Sequence, residues 1–500
     1  MLSRLSDSPA IADPGQETPR SHLRSAHEMT LLTTASSRKF YFAYCCGVFT
    51  VSALSVLPFV RVLVLPNEDD SDVQVALTSF IGSETFPDLW PFVPWLAAAL
   101  VMAVGISVFA WIIHSSRSGR WLIFAVPIGL LVVGLAQALE IPGLNRVEVY
   151  GDFVGLETYL SDTDGDFGRW LLGLAFLREI FAAVNAFLFE VDGGQFIRAT
   201  SSLAMFAWAA WLLSRRERSS VPWLVIISPM WILFSLGYSE YYPYVAGLLV
   251  AVSWQVISQR RLLTNTTLYV LVGVMPILYI GAVPVSLALL IYVWSAESEA
   301  SGRLRGGLTS LISMIVGIEV GGEFKGYVSN LAETMNLGGQ LLDKSVGSRA
   351  EALSSRSFLA NPSYVFSLEH AIDIWFWLSC GIGAVVLVAA LVVSRGLTRG
   401  QNFPMHGGKV HLDLRRISVL VLVGLAVFYL VFMLPLLGPT RDIDLYFVSM
   451  FVLLLYAGTR FDRAAELSGY PDLERLRLMQ LSAFGFAPAT MALVVFGVSR

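Results

Sequence analysis

"ISVLVLVGLAVFYLVFMLPLLGPTRDIDLYFVSMFVLLLYAG" (417–458) is the stretch on which the fold turns. Two apolar runs flank a short polar insert holding Arg441, Asp442 and Asp444. Each run is close to the ~20 residues that carry a helix across a bilayer. Backbone groups in lipid must be satisfied within the segment, so such runs are helices. The charges between them then belong at a membrane edge or in a wet cavity, because a charge at the bilayer centre costs ~2.5–3.5 kcal/mol on insertion scales.

The rest of the chain repeats the pattern. Of its 500 residues, 55% are hydrophobic and 14% charged, and the mean hydropathy is +0.65. Soluble chains carry about 25% charged residues. The class is therefore an all-α polytopic membrane protein. Thirteen candidate spans lie near 41–64, 92–113, 120–139, 196–213, 221–237, 241–258, 266–280, 283–296, 306–320, 372–394, 416–437, 443–458 and 481–498. The pair at 266–296 is short and carries Pro276 and Pro284, so it reads either as two spans or as one broken hairpin. No internal repeat is visible. Cys45, Cys46 and Cys380 all sit in apolar segments and have neither disulfide nor metal spacing. Residues 1–37 read as a disordered tail, 38–119 as two N-terminal helices, and 120–500 as the core.

Arginines and lysines orient the helices, since basic short loops stay cytoplasmic. Arg38 and Lys39, Arg117 and Arg120, Arg215 and Arg216, Arg260 and Arg261, Arg303 and Arg305, Arg415 and Arg416, and Arg460 and Arg463 all fall on one side if thirteen spans alternate. The tail is then cytoplasmic and the C-terminus external. The external side receives loops 140–195 and 321–371, the 238–240 connection and "GPTRDID". Loop 140–195 holds ten acidic and three basic residues. Its apolar stretch 168–190 is interrupted by Arg178 and Glu179, which suits an amphipathic helix at the interface better than a span.

Several external clusters have chemistry to offer. "RVEVYGDFVGLETYL" (146–160) presents Asp152 after Gly151, with Glu157 nearby, as a turn or as a catalytic carboxylate. "SDTDGDFG" (161–168) spaces Asp162, Asp164 and Asp166 like a calcium loop, but Phe167 stands where that loop wants Gly and Gly173 where it wants Glu. "SLGYSEYYPYVAG" (235–247) sets Glu240 among Tyr238, Tyr241 and Tyr242, either as an aromatic belt or as a sugar-lining cavity. In "YVFSLEHAIDIWFWL" (364–378), Ser367 suits a helix N-cap, while His370 is left to meet a phosphate or the headgroups. In the opening stretch Thr440 or Asp442 can cap the following helix. Arg441 stands where the short connections otherwise lack basic residues, which fits an anionic ligand.

This layout resembles the GT-C superfamily of integral-membrane glycosyltransferases. The likeness lies in a span followed by "YGD" with Asp152, the amphipathic 168–190 region, "GYSEYY", and "GPTRDIDLYF". An Arg-Asp-x-Asp-Leu run like the last occurs in uncharacterised bacterial membrane proteins of that type. The resemblance implies an inverting enzyme of a bacterial plasma membrane that takes a sugar from a polyprenyl-phosphate donor and passes it to a glycan, lipid or protein acceptor. It implies Asp152 as the base, Arg441 and His370 at the donor phosphate, and Glu240, Tyr241, Asp442, Asp444 and Glu157 lining the site. A divalent cation at Asp162, Asp164 and Asp166 stays open, and no nucleic-acid partner is expected. The competing class is a transporter or lipid flippase. Such proteins favour repeats and ionisable groups at the midplane, whereas the ionisable residues here gather at one face.

Overall fold

The computed structural model describes residues 100–112 apart from 102, 106 and 110, together with 123–139, 160, 171–187, 191–215, 219–238, 241–297, 299–320, 365–398, 413–433, 446–469 and 471–498. The chain divides into two compact units, 1–50 and 51–500, and every described residue belongs to the second.

Regular structure among the described residues is helical. The helices are α1 (Ala125–Ala138), α2 (Leu171–Phe187), α3 (Gly193–Ser214), α4 (Val221–Ile226), α5 (Pro229–Ser235), α6 (Tyr242–Ser258), α7 (Asn265–Leu278) and α8 (Val283–Ala296). They continue with α9 (Ala300–Val320), α10 (Leu368–Ile382), α11 (Ala384–Thr398), α12 (Leu414–Phe432), α13 (Phe447–Leu467) and α14 (Pro471–Val498). Further helical residues lie between Leu100 and Ile112.

Local chemistry explains many boundaries. Asp192, Thr264, Ser367 and Asp413 each cap a helix, accepting from Gly194 N, Thr267 N, His370 N and Arg415 N at 3.1–3.2 Å. The serine cap of α10 is the one expected from the sequence. The cap of α13 expected from Thr440 or Asp442 falls on residues outside those described. That helix starts at Phe447 with Tyr446 as its N-cap residue, whose side chain makes no cap bond. Pro222, Pro229, Pro243 and Pro284 open α4, α5, α6 and α8, where the missing N–H costs nothing.

Two expected spans are broken. The 221–237 segment splits into α4 and α5 at Ile227–Ser228, ahead of Pro229. The 372–394 segment bends by 87° between α10 and α11, at Gly383, whose φ of +67° suits a residue without a Cβ. The doubtful 266–296 segment is a hairpin, with α7 and α8 joined by a 3-10 turn at Ile280–Ala282. Each arm has 14 residues, or about 21 Å of helix, against a hydrocarbon core of ~30 Å. By length and hydropathy, α3 and α12 are the described helices that suffice to cross a membrane, with the bent α10–α11 pair a third if taken as one span.

Small residues let the helices approach closely, as expected where lipid supplies no hydrophobic drive between them. On the α7–α9 contact a Cβ at Gly273 would strike the Ser310 carbonyl, and Ser310 Oγ donates to Tyr269 O at 2.7 Å. Gly247 of α6 lies under the Trp208 ring of α3. Helix α13 is the hub, touching α4, α6, α10, α11, α12 and α14.

The contacts sort the helix termini into two ends. At one, Asn265 binds Glu297, Arg303 donates to the Glu297 carbonyl, Gln259 donates to the Arg415 carbonyl, and Ser219 and Ser220 reach Asp462. The α3–α4 and α6–α7 connections, with Arg215 and Arg260, and the first turns of α9, with Arg303, gather here, with the start of α12 and the α13–α14 turn. We call it the arginine end. At the other, the tyrosine end, the starts of α6, α10 and α13 meet the ends of α5, α7 and α12. Along α13 the two are separated by about 22 Å, the rise from Phe447 to Asp462.

Candidate functional site

At the tyrosine end the first turn of α13 forms the centre. Phe447 is fully buried, with ring centroids 5.4 Å from Tyr242, 5.7 Å from Phe234 and 5.6 Å from Tyr279. Its neighbour Tyr446 stacks on Trp377 of α10 at 4.3 Å with an interplanar angle of 13°. Three stretches singled out in the sequence, 235–247, 364–378 and 438–447, thus meet through aromatic contacts. Aromatic rings can do this because offset stacks and edge contacts each add ~0.5–1.5 kcal/mol beyond burial.

Gly237, with φ of +87°, turns the chain out of α5. Tyr238, Tyr241 and Tyr242 follow, all buried. Tyr241 lies 5.7 Å from Tyr244, whose hydroxyl is 2.7 Å from Thr200 Oγ1 and donates to Ile197 O at 3.1 Å. These bonds tie α6 to the first turns of α3. On that same part of α3, Arg198 is 7% exposed, with its Cβ against Gly237. A buried guanidinium among apolar helices is costly unless its charge is met, and this one stands beside the Tyr238–Tyr242 corner. Sequence reasoning passed over Arg198, although an arginine three residues inside an expected span is a signal that could have found it.

His370 is fully buried, as is Asp373 one helical turn on. The His370 ring lies 6.0 Å from Trp377, and Nε2 is 2.6 Å from the Val431 carbonyl. Headgroup exposure is therefore not its situation.

Beside this cluster a narrow groove, with room for about one water molecule, runs between α8, α12 and α13. Leu422, Leu425, Ala426, Val448 and Val452 make its walls, with Tyr279 and Tyr429 among its lining. Those two tyrosines also touch Phe447 (5.6 Å) and Tyr446 (5.9 Å), so the apolar groove and the aromatic cluster are continuous.

Of the residues expected from the sequence, Tyr241 and His370 lie in this region. Asp152, Glu157, Asp162, Asp164, Asp166, Glu240, Arg441, Asp442 and Asp444 lie outside the described residues. Among the described residues no group of three or more His, Cys, Asp or Glu could hold a metal ion.

The arginine end carries a second polar cluster that the sequence did not disclose. Asp462 is 4% exposed and Arg475 is 5%. Asp462 accepts from Ser219 Oγ at 2.7 Å, Ser220 Oγ at 2.6 Å and Ser220 N at 3.1 Å. Arg475 Nε forms an ion pair with Asp462 Oδ1 at 3.5 Å, and its fork also meets Glu466 at 3.0 Å and Asp472 at 3.7 Å. Arg260 reaches the same Glu466 at 3.5 Å. Burial pushes the Asp462 carboxyl above the usual carboxylate range, against the opposing pull of the two serines and Arg475. Asp462 binds the α3–α4 connection to α13 and α14, which is the work of a structural tie.

Comparison with known protein families finds no family model that matches the chain, and comparisons with curated proteins and with solved structures find no match either.

Proposed function

We propose that the protein is an integral-membrane glycosyltransferase that moves a sugar from a polyprenyl-phosphate donor to an acceptor on the external face. The observation that supports this reading is the convergence at the tyrosine end. The stretches carrying Glu240 and Arg441 are both anchored on the Tyr242–Phe447 aromatic cluster, and the apolar groove opens beside it. A lipid-linked sugar phosphate needs this combination of an apolar wall for its chain, polar and aromatic groups for its sugar, and a cation for its phosphate. The arginine-rich connections gather at the opposite end, which is the cytoplasmic one under the positive-inside rule.

In this scheme the acceptor hydroxyl attacks the anomeric carbon as Asp152 takes its proton. The anomeric C–O bond breaks with its electron pair going to the phosphate, and the configuration inverts. Arg441 offsets the charge growing on the leaving phosphate. Tyrosine ring faces and hydroxyls hold the sugar.

The test is direct. Protein purified without exogenous lipid would be examined by native mass spectrometry for a bound polyprenyl phosphate. It would then be reconstituted with polyprenyl-phosphate sugars and a membrane extract to look for sugar transfer. Binding together with Asp152-dependent transfer is the expected result. Absence of both, with solute movement across sealed vesicles instead, would place the protein with the transporters.

A further inference from the structure

A helix leaves its last carbonyls without partners inside the helix. Helix α12 ends at Phe432, and Met433 N still reaches Tyr429 O at 3.1 Å. The next carbonyls are met from elsewhere. His370 Nε2, from the first turn of α10, meets Val431 O at 2.6 Å. The Tyr446 hydroxyl donates to Met433 O at 2.9 Å. Tyr446 is the residue from which α13 starts. The last bond therefore ties the point where the chain leaves α12 to the point where it enters α13.

Helix α10 backs both ties. Trp377 stacks flat on the Tyr446 ring at 4.3 Å, which fixes the direction of its hydroxyl, and the edge of His370 lies 6.0 Å from the same Trp377. His370, Trp377 and Tyr446 are all buried, so the donor side of each bond is shielded from water, while the acceptors Val431 and Met433 are half-buried. A carbonyl only accepts, so Nε2 carries a proton whether the imidazole is neutral or charged. That proton is already committed, and Nε2 is not available to a phosphate at the same time.

We infer that His370 and Tyr446 are positioning residues. They hold the end of α12 and the start of α13 in register, and thereby set the base of the 434–445 connection that carries Arg441. The consequence for ligand binding rests on the phosphate role proposed above for Arg441. His370 then acts on the donor through the chain it fixes, and its Nε2 is held by the Val431 carbonyl rather than by the phosphate.

The experiment uses the full chain in nanodiscs, with two readouts. Amide hydrogen exchange is followed in peptides covering 434–445, and binding of undecaprenyl phosphate is titrated. Tyr446→Phe removes one oxygen and keeps the ring on Trp377. His370→Leu removes the donor, and His370→Gln restores an amide donor of similar reach. Losing either tie should raise exchange in 434–445 about two- to tenfold, the equilibrium weight of one hydrogen bond, and weaken undecaprenyl phosphate binding by a similar factor. His370→Gln should recover much of both. In an Arg441→Ala background the same substitutions should still raise exchange but no longer change binding. If His370→Leu fails to fold, Tyr446→Phe carries the test. Unchanged exchange in the folded variants overturns the inference. So does raised exchange with binding equal to that of the parent protein. If the parent protein itself binds no undecaprenyl phosphate while exchange rises in both variants, the ties stand and the glycosyltransferase reading falls.

Discussion

The buried cluster at the arginine end allows charge and hydrogen bonding to be separated at one residue. Asp462→Ala removes the acceptor of Ser220 N, Ser220 Oγ and Ser219 Oγ. Ser220 is fully buried, so two donors lose their partner with no water to replace it, at ~1–3 kcal/mol each. Ser219 is only partly buried and can rehydrate. Arg475 keeps Glu466 and Asp472, so its charge is not stranded. The expected loss is ~3–4 kcal/mol, or between two and three powers of ten in the folding equilibrium. Asp462→Asn retains a carbonyl oxygen for the serines and removes a charge whose burial is unfavourable, as the raised pKa of Asp462 shows. It should stay within about 1–2 kcal/mol of the parent. The assay is thermal unfolding in one detergent, followed by intrinsic fluorescence, with monodispersity checked by gel filtration. An Asp462→Ala protein as stable as the parent would show that packing alone holds this end. Equal losses in the alanine and asparagine variants would show that the charge is what matters.

Asp462 also makes stability depend on pH. Its native carboxyl holds a proton more tightly than the unfolded one, so this contribution is present below the unfolded pKa and declines as pH rises through the native pKa; melting of Asp462→Asn should lack that component when compared with the parent across the acid range. Gly273→Val should cost at least ~1–3 kcal/mol, because its side chain meets the Ser310 backbone carbonyl and α7 must part from α9; an unchanged melting temperature would refute the tight α7–α9 contact. Asp152→Asn should abolish sugar transfer while sparing expression and donor binding, whereas near-normal transfer with loss in an Asp164 variant would move the base to the acidic turn. Arg441→Lys keeps the charge without the planar fork and should weaken undecaprenyl phosphate binding partially, and Arg441→Ala severely; equal binding in a folded Arg441→Ala protein would leave that arginine without a ligand role. Single cysteines at Ser161 and Ser354 should label from outside intact cells, and labelling only after permeabilisation would reverse the proposed orientation.

Hydropathy by itself determined that the described chain is helical, with a few helices long and apolar enough to cross a membrane, because apolar runs in lipid can satisfy their backbone only as helices. The N-cap of α10 was legible in Ser367, since capping depends on atoms within three residues of one another. Other features were beyond the sequence for a physical reason: they depend on partners far away along the chain. The α10–α11 bend turns on a single glycine in an otherwise uniform apolar run. The role of His370 is set by a carbonyl 61 residues away. Asp462 reads as one more charge in "FDRAAEL" until Ser219 and Ser220, more than 240 residues earlier, come within 3 Å of it. Local chemistry wrote the helices and their caps. Which buried polar groups find one another was decided by packing, because a side chain in a low-dielectric interior must be met by whatever the tertiary fold brings to it.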